Sequence, residues 1–245
     1  MRIAVVSDIH GNLTALEAVL ADLRQVAADL VIQGGDLAGS GSRPAEVIDC
    51  VRDLNWPGVF GNSDEMLWRP DRLAEILGAP QFDRLREMLL TEIIPSTHAA
   101  IGPDRLAWLR ALPVRFSTGE LAVVHAGPDD AWRSPASNAA DEELERVYAP
   151  LSAHSVVYGH IHVSFVRRLP SFTVVNSGSV SLSYDGDPRA AYAVIDGDRV
   201  EIRRVEYDVE EEIARLKTAR YPEAGWIAEM LRAARYVPLP VDQRV

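Results

Sequence analysis

Arg2-Ile3-Ala4-Val5-Val6-Ser7 runs straight into Asp8-Ile9-His10-Gly11-Asn12, and Leu13, Leu16, Leu20 and Leu23 then recur at helical spacing to about Gln25. The apolar, β-branched opening reads as a strand buried on both faces, and the polar residues after it as a loop at the strand's C-terminal end. The unit is therefore strand, polar loop, helix. It recurs where Leu30-Val31-Ile32 leads to Gly34-Gly35-Asp36 and a helix over Pro44 to Asp53, with Pro44 in its first turn. Gly58-Val59-Phe60 leads in the same way to Gly61-Asn62-Ser63-Asp64 and reads as a third strand. Open α/β sheets bind ligands at such strand ends.

From Glu65 to Leu112 the texture changes to helical periodicity broken by Pro70, Pro80, Pro95 and Pro103, with Pro113 following. This predicts a mostly helical insertion at about 65–113, acting either as a lid or as a subunit interface that would make the protein a homo-oligomer. Strand patterns resume at Leu121 to Val124, which ends in His125. Asp141 to Tyr148 reads as a helix, and Ser155-Val156-Val157-Tyr158 as the strand that feeds Gly159-His160-Ile161-His162. Residues i and i+2 of an extended chain project to one side, so His160 and His162 can reach one site. Phe165 to Leu169, Phe172 to Val175, Ala190 to Ile195 and Arg199 to Val205 read as strands, the last two joined by a tight turn at Asp196-Gly197-Asp198. Helices return over Val209 to Lys217 and Ala224 to Arg235. Strands and helices in both halves predict one α/β domain over residues 1–245, a four-layer αββα sandwich of two packed mixed sheets.

A balance of 36 acidic against 25 basic residues, a formal charge of -11, disfavours sequence-independent binding to nucleic acid or anionic lipid. No apolar run approaches the ~20 residues that span a bilayer, and the apolar opening is too short for a signal-peptide core. The single cysteine, Cys50, lies on the apolar face of a helix and suits core packing in a reducing compartment, so a cytoplasmic location is expected.

Asp8, His10, Asp36, Asn62, His125, His160 and His162 each follow a strand-like run or the glycine that ends it, and they include four of the six histidines. Carboxylate, amide and imidazole donors gathered in this way suit a pair of divalent ions about 3.5–4 Å apart, with Asp36, close to Gly34, Gly35 and Gly39, as the natural bridge. The ordered set Asp8-Ile9-His10, Gly35-Asp36, Gly61-Asn62, His125 and Gly159-His160-Ile161-His162 resembles the calcineurin-like metallophosphoesterases, and specifically their smaller bacterial and archaeal members. A Gly-Ser-Val segment after a late strand, here within Asn176-Ser177-Gly178-Ser179-Val180, extends the resemblance.

The resemblance implies a metal held by Asp8, His10 and His162 and a second held by Asn62, His125 and His160, with Asp36 and a hydroxide bridging them and the hydroxide attacking phosphorus in line. The donor set fits manganese, iron or zinc better than magnesium. Two departures stand out. Ser177 occupies a position where the family often has proline, which bears on the turn. Ser63 and Asp64 follow Gly61-Asn62 where many members have a histidine that serves the leaving group or the phosphate. Serine is a poor general acid at neutral pH. A phosphodiester or a nucleotide phosphoanhydride, whose leaving group needs little help, is thus the expected substrate, with dinucleoside polyphosphates implied by the resemblance.

His98, in the insertion, is the candidate proton donor; its other reading is a half-exposed residue near a helix capped by Ser96 or Thr97. Asn12 is read either as a phosphate contact beside the metals or as a helix N-cap, and Asp64 either as a support for Ser63 or as a favourable charge at a helix start. His154 reads as structural or exposed, and Arg69 and Arg72 as solvated. The alternative enzymatic reading is a phosphomonoester or protein phosphatase, which the same metal core supports elsewhere in the family. A non-catalytic scaffold of this fold ranks last, because no ligand position is replaced.

Overall fold

The computed structural model describes residues 1–239. Among these residues nine strands form two mixed sheets. The first runs β2 (Leu30–Gln33), β1 (Arg2–Val6), β8 (Ala190–Asp196), β9 (Arg199–Val205); the second runs β3 (Arg115–Thr118), β4 (Leu121–Val124), β5 (Ser155–Tyr158), β7 (Thr173–Asn176), β6 (Phe165–Arg168). β1 pairs parallel with β2, aligning Val5 with Ile32, and β4, β5 and β7 are parallel to one another. The C-terminal ends of β1, β2, β4 and β5 carry the loops that hold the predicted ligands.

Alternation along the strands builds the layers. Ile3 and Val5 of β1, with Ile32, Ala193 and Ile195, meet Leu121, Val123, Val157 and Val175 of the second sheet in the central layer. The intervening Ala4 and Val6 face outwards onto Ala15, Leu16 and Val19 of α1 (Leu13–Val26) and Val47, Ile48 and Val51 of α2 (Pro44–Asp53). On the far side of the second sheet, Val124, Val156, Tyr158 and Val174 pack with Leu144 and Tyr148. Each large apolar side chain buried in this way contributes roughly 1.5–3 kcal/mol. The result is a four-layer αββα sandwich.

The stretch 65–113 is helical, with no strand among its described residues. α3 (Asn62–Glu65), α4 (Asp71–Ile76), α5 (Asp83–Met88) and α6 (Ile94–Ala111) follow one another, with a π-helical turn, Leu89–Ile93, leading into α6. α6 bends where Gly102 takes φ 69° ahead of Pro103, a conformation that favours glycine. Leu73, Met88, Ile93, Ile101 and Leu109 are buried in the same cluster as α1 and α2, so this stretch shares the main core. α7 (Asp141–Tyr148) covers the second sheet, and α8 (Val209–Thr218) and α9 (Ala224–Ala233) complete the first side.

Three local expectations are corrected. Gly58-Val59-Phe60 makes only a single bridge, Gly58 to Gln33: the Gln33 backbone bonds Pro57 and Val59, its side-chain amide donates to the Val59 carbonyl, and the pairing does not extend into a strand. β3 was not expected; its Arg115–Thr118 alternates exposed and half-buried residues at the sheet edge, where an apolar run is not required. Ser96 and Thr97 lie inside α6 and cap nothing. Among the described residues, no helix is long and apolar enough to cross a membrane.

Candidate metal centre

Four strand-end loops and the start of α3, where Asn62 stands, bring the seven predicted ligands together. In one half, Nε2 of His162 lies 3.1 Å from Oδ1 of Asp8 and 3.2 Å from Nε2 of His10. In the other, Oδ1 of Asn62 lies 3.0 Å from Nε2 of His125 and 2.7 Å from Nδ1 of His160. Oδ2 of Asp36 faces both halves, 3.6 Å from Nε2 of His10 and 3.5 Å from Nε2 of His125. Donor atoms of Asp8, His10, Asp36 and His162, all buried, lie within 4.8 Å of one another.

The loops reach this arrangement at a conformational cost. Asp8, His10, Asp36, His160 and His162 all adopt left-handed backbone, with φ of 58°, 50°, 54°, 66° and 56°. Such residues cost of order 1–3 kcal/mol each and concentrate where a site must be held rigidly. Two glycines make room for the carboxylates. A Cβ at Gly61 would sit 2.0 Å from Oδ1 of Asp36, and one at Gly159 would sit 2.2 Å from Oδ2 of Asp8.

Surrounding groups orient the imidazoles. His125 donates through Nδ1 to the Gly34 carbonyl at 2.9 Å, and His162 through Nδ1 to the Leu182 carbonyl at 2.5 Å. Each then presents its Nε2 lone pair inwards, the arrangement that metal-ligating histidines use. The inward faces consequently oppose acceptor to acceptor, as at Nε2 of His125 and Oδ1 of Asn62. Among the described residues, Asp8 and Asp36 have ion pairs with histidines and none with lysine or arginine. Buried acceptors without cationic side chains fit divalent ions, which supply the missing positive charge.

Asp8, His10 and His160 titrate in keeping with this. Burial works against the Asp8 carboxylate, yet His162, His125 and His10 hold it well below the usual range. Burial lowers His10 and His160 to about 4, keeping them neutral and able to bind metal. For His125 burial also favours the neutral ring, but the nearby carboxylates of Asp36 and Asp8 outweigh it and raise the pKa.

The remaining predicted residues separate into distinct places. Ser63 donates to Asp36 twice, from its amide to Oδ1 and from its hydroxyl to Oδ2, each at 2.8 Å. Asp64 is fully buried and accepts from the amides of Leu37, Ala38 and Gly61, each at 3.0 Å, tying the Asp36 loop to the Asn62 loop. Burial, then the charge of Asp36, pushes it up to about 7. Of the two readings of Asn12, the contacts show the N-cap: it is fully buried, its oxygen accepts from Ala15 to cap α1, and its amide donates to Ser181. Nε2 of His98 lies 2.7 Å from the Leu67 carbonyl, a bond that joins α6 to the end of the Asn62 loop. His154 is half exposed and pairs with Asp198 at 3.0 Å.

Sequence reading did not assign the groups beneath the ligands. Ser179 donates to the Asp8 carbonyl at 2.9 Å, and Asn176 donates to the Gly159 carbonyl at 2.6 Å. The Asn176-Ser177-Gly178-Ser179-Val180 segment was the available signal. At Ser177 the departure from proline has a use, since its amide donates to the Tyr158 carbonyl at 3.1 Å. Tyr184 stacks on the His162 ring with centroids 4.6 Å apart and planes inclined 21°, a contact that had no local signal.

Fold and centre together define the class of metal-dependent phosphoesterases built on paired sheets. The chain belongs to the calcineurin-like phosphoesterase superfamily, whose domain pattern matches residues 1–199. It is 29% identical to an uncharacterized protein of Methanocaldococcus jannaschii over 95% of this chain and 98% of that one. A symmetrical bis(5'-nucleosyl)-tetraphosphatase of Methylococcus capsulatus is 30% identical over 61% of this chain, and the matched stretch spans 51% of that relative's length. Among solved structures, a metallophosphoesterase from Sphaerobacter thermophilus superimposes with a TM-score of 0.77 at 28% identity, covering 96% of this chain and 99% of that one.

Proposed function

We propose that the protein is a two-metal hydrolase acting on phosphodiesters or nucleotide phosphoanhydrides, dinucleoside polyphosphates included. The observation that carries this reading is the position of Asp36, whose Oδ2 stands 3.6 Å from His10 and 3.5 Å from His125, between two sets of donors. Asp8, His10 and His162 would hold one ion, Asn62, His125 and His160 the other, and Asp36 both. Imidazole mixed with carboxylate and amide oxygen suits manganese, iron or zinc. Bound there, the ions neutralise charge on the phosphoryl group and lower the pKa of the attacking water.

The chain's own part is positioning. Ser63 holds the Asp36 carboxylate, Asp64 fixes the two loops, and the Gly34 and Leu182 carbonyls set which nitrogens face inwards. The Ser63 hydroxyl is committed to Asp36 and Nε2 of His98 to Leu67, which favours substrates whose leaving group needs no protonation. The resemblance to a tetraphosphatase over part of its length points the same way. Cys50, unpaired and half-buried, suits a reducing, cytoplasmic setting.

The test is the initial hydrolysis rate of metal-stripped protein reconstituted with manganese, across matched nucleotide anhydrides, phosphodiesters and alkyl monoesters. Faster turnover of anhydrides or diesters is expected. Preference for alkyl monoesters would overturn the substrate class, and absence of any turnover with metal bound would overturn the hydrolase reading itself.

A further inference from the structure

The Tyr184 ring that stacks on His162 is itself covered on one edge by a second aromatic residue, Tyr236, with centroids 5.8 Å apart and planes at 76°. Tyr236 is 47% exposed, an unusual position for a large ring in the described chain. It is also held in place. Ala234 ends α9 in the left-handed region at φ 47° and turns the chain back, its carbonyl accepts from the Gly186 amide at 2.9 Å, and the Val237 carbonyl accepts from Nε1 of Trp226 at 2.6 Å. The bonds on either side of Tyr236 hold its backbone, and its half-exposed ring lies two aromatic contacts from a candidate metal ligand.

We propose that Tyr236 is the stacking platform for the base of a nucleotide whose phosphates occupy the metal centre. A half-exposed ring on a fixed backbone binds bases at little ordering cost, and stacking tolerates any base because every base has a π-face. The ribose and phosphates of a bound nucleotide would span the distance from Tyr236, past Tyr184, to ions at His162. The sequence places this residue after the last helix, far from every candidate ligand, and the fold brings it against Tyr184, which stacks on His162. The inference rests on the nucleotide reading above and adds to it the residue that selects for a base.

The experiment measures binding, so that it stands apart from turnover. Affinities of manganese-loaded wild type, Tyr236→Ala and Tyr236→Trp are compared for adenosine 5'-(β,γ-methylene)triphosphate and for inorganic tripolyphosphate. Tyr236→Ala should weaken nucleotide binding about 5-fold or more, the low end of one lost base stack, with tripolyphosphate unchanged, and Tyr236→Trp should retain it. Equal weakening for both ligands would mean that Tyr236 acts only through Tyr184 and His162, and no change for either would mean that the base lies elsewhere; each overturns the proposal. Failure of the wild type to hydrolyse any substrate would count against the proposed function, whereas the platform is decided by these affinities.

Discussion

Ser63 grips Asp36 with both of its hydrogen-bonding groups, the amide on one carboxylate oxygen and the hydroxyl on the other, each at 2.8 Å. The residue that stands where many relatives have a histidine therefore serves the carboxylate proposed to bridge the metals. Ser63→Ala should lower metal affinity or activity about 10–100-fold, the usual cost of losing a partner behind a ligand. Asp36→Asn should lower kcat by at least about 100-fold and leave the fold intact. Metal content and circular dichroism of the two variants check this, and wild-type turnover with full metal in Asp36→Asn would remove Asp36 from the bridge.

Asp64 differs in kind, since its buried carboxylate accepts from amides of two loops. Asp64→Ala should cost about 2–4 kcal/mol of stability through amides left unpaired. A denaturant titration of the metal-free protein reads this directly. Unchanged stability with lost activity would instead place Asp64 in the chemistry.

Asn12 caps α1, so Asn12→Ala should cost about 1 kcal/mol of stability, the typical value for a lost N-cap. KM should stay within experimental error of wild type. A raised KM at unchanged melting temperature would restore the substrate contact.

His98 supports the Leu67 carbonyl, and His98→Ala should therefore change turnover of good and poor leaving groups by the same factor. A loss confined to alkyl monoesters, read from a substrate series, would identify His98 as the donor.

The metal-free protein should lose stability as pH falls from about 6.5 to about 4. Burial lowers the folded-state pKa of His10 and His160 to about 4, so across that window the unfolded chain binds more protons than the folded one. His125, raised in the fold, is protonated in both states below its unfolded pKa, while Asp64, pushed up to about 7, holds one proton in the fold that the unfolded chain lacks; it offsets one of the two histidines and leaves a net loss. Melting temperatures over pH 4–7 test it; a flat profile, or a rise towards pH 4, would contradict the burial of the two rings.

The kinds of residue gathered at the candidate metal centre and the order of the loops were legible in the chain itself. Each ligand sits at the end of an apolar run or just past the glycine that closes it, and strand and helix periodicities are local properties that neighbouring residues determine. The boundaries of Pro44–Asp53 and Asp141–Tyr148 came out as expected for that reason. The choice between the two readings of Asn12, the grip of Ser63 on Asp36 and the failure of Gly58-Val59-Phe60 to become a strand depended on contacts between distant segments.

So did the chemistry of the ligands. His125 takes its orientation from Gly34, 91 residues away, and His162 from Leu182, 20 residues away. The left-handed backbone at Asp8, His10, Asp36, His160 and His162 opposes local preference and persists only because the packed sheets beneath hold it. Sequence alone determined which residues could bind metal and in what order along the chain they stand. Tertiary structure decided which nitrogen of His125 and His162 faces inwards, because that depends on carbonyls that only the assembled fold brings within hydrogen-bonding distance.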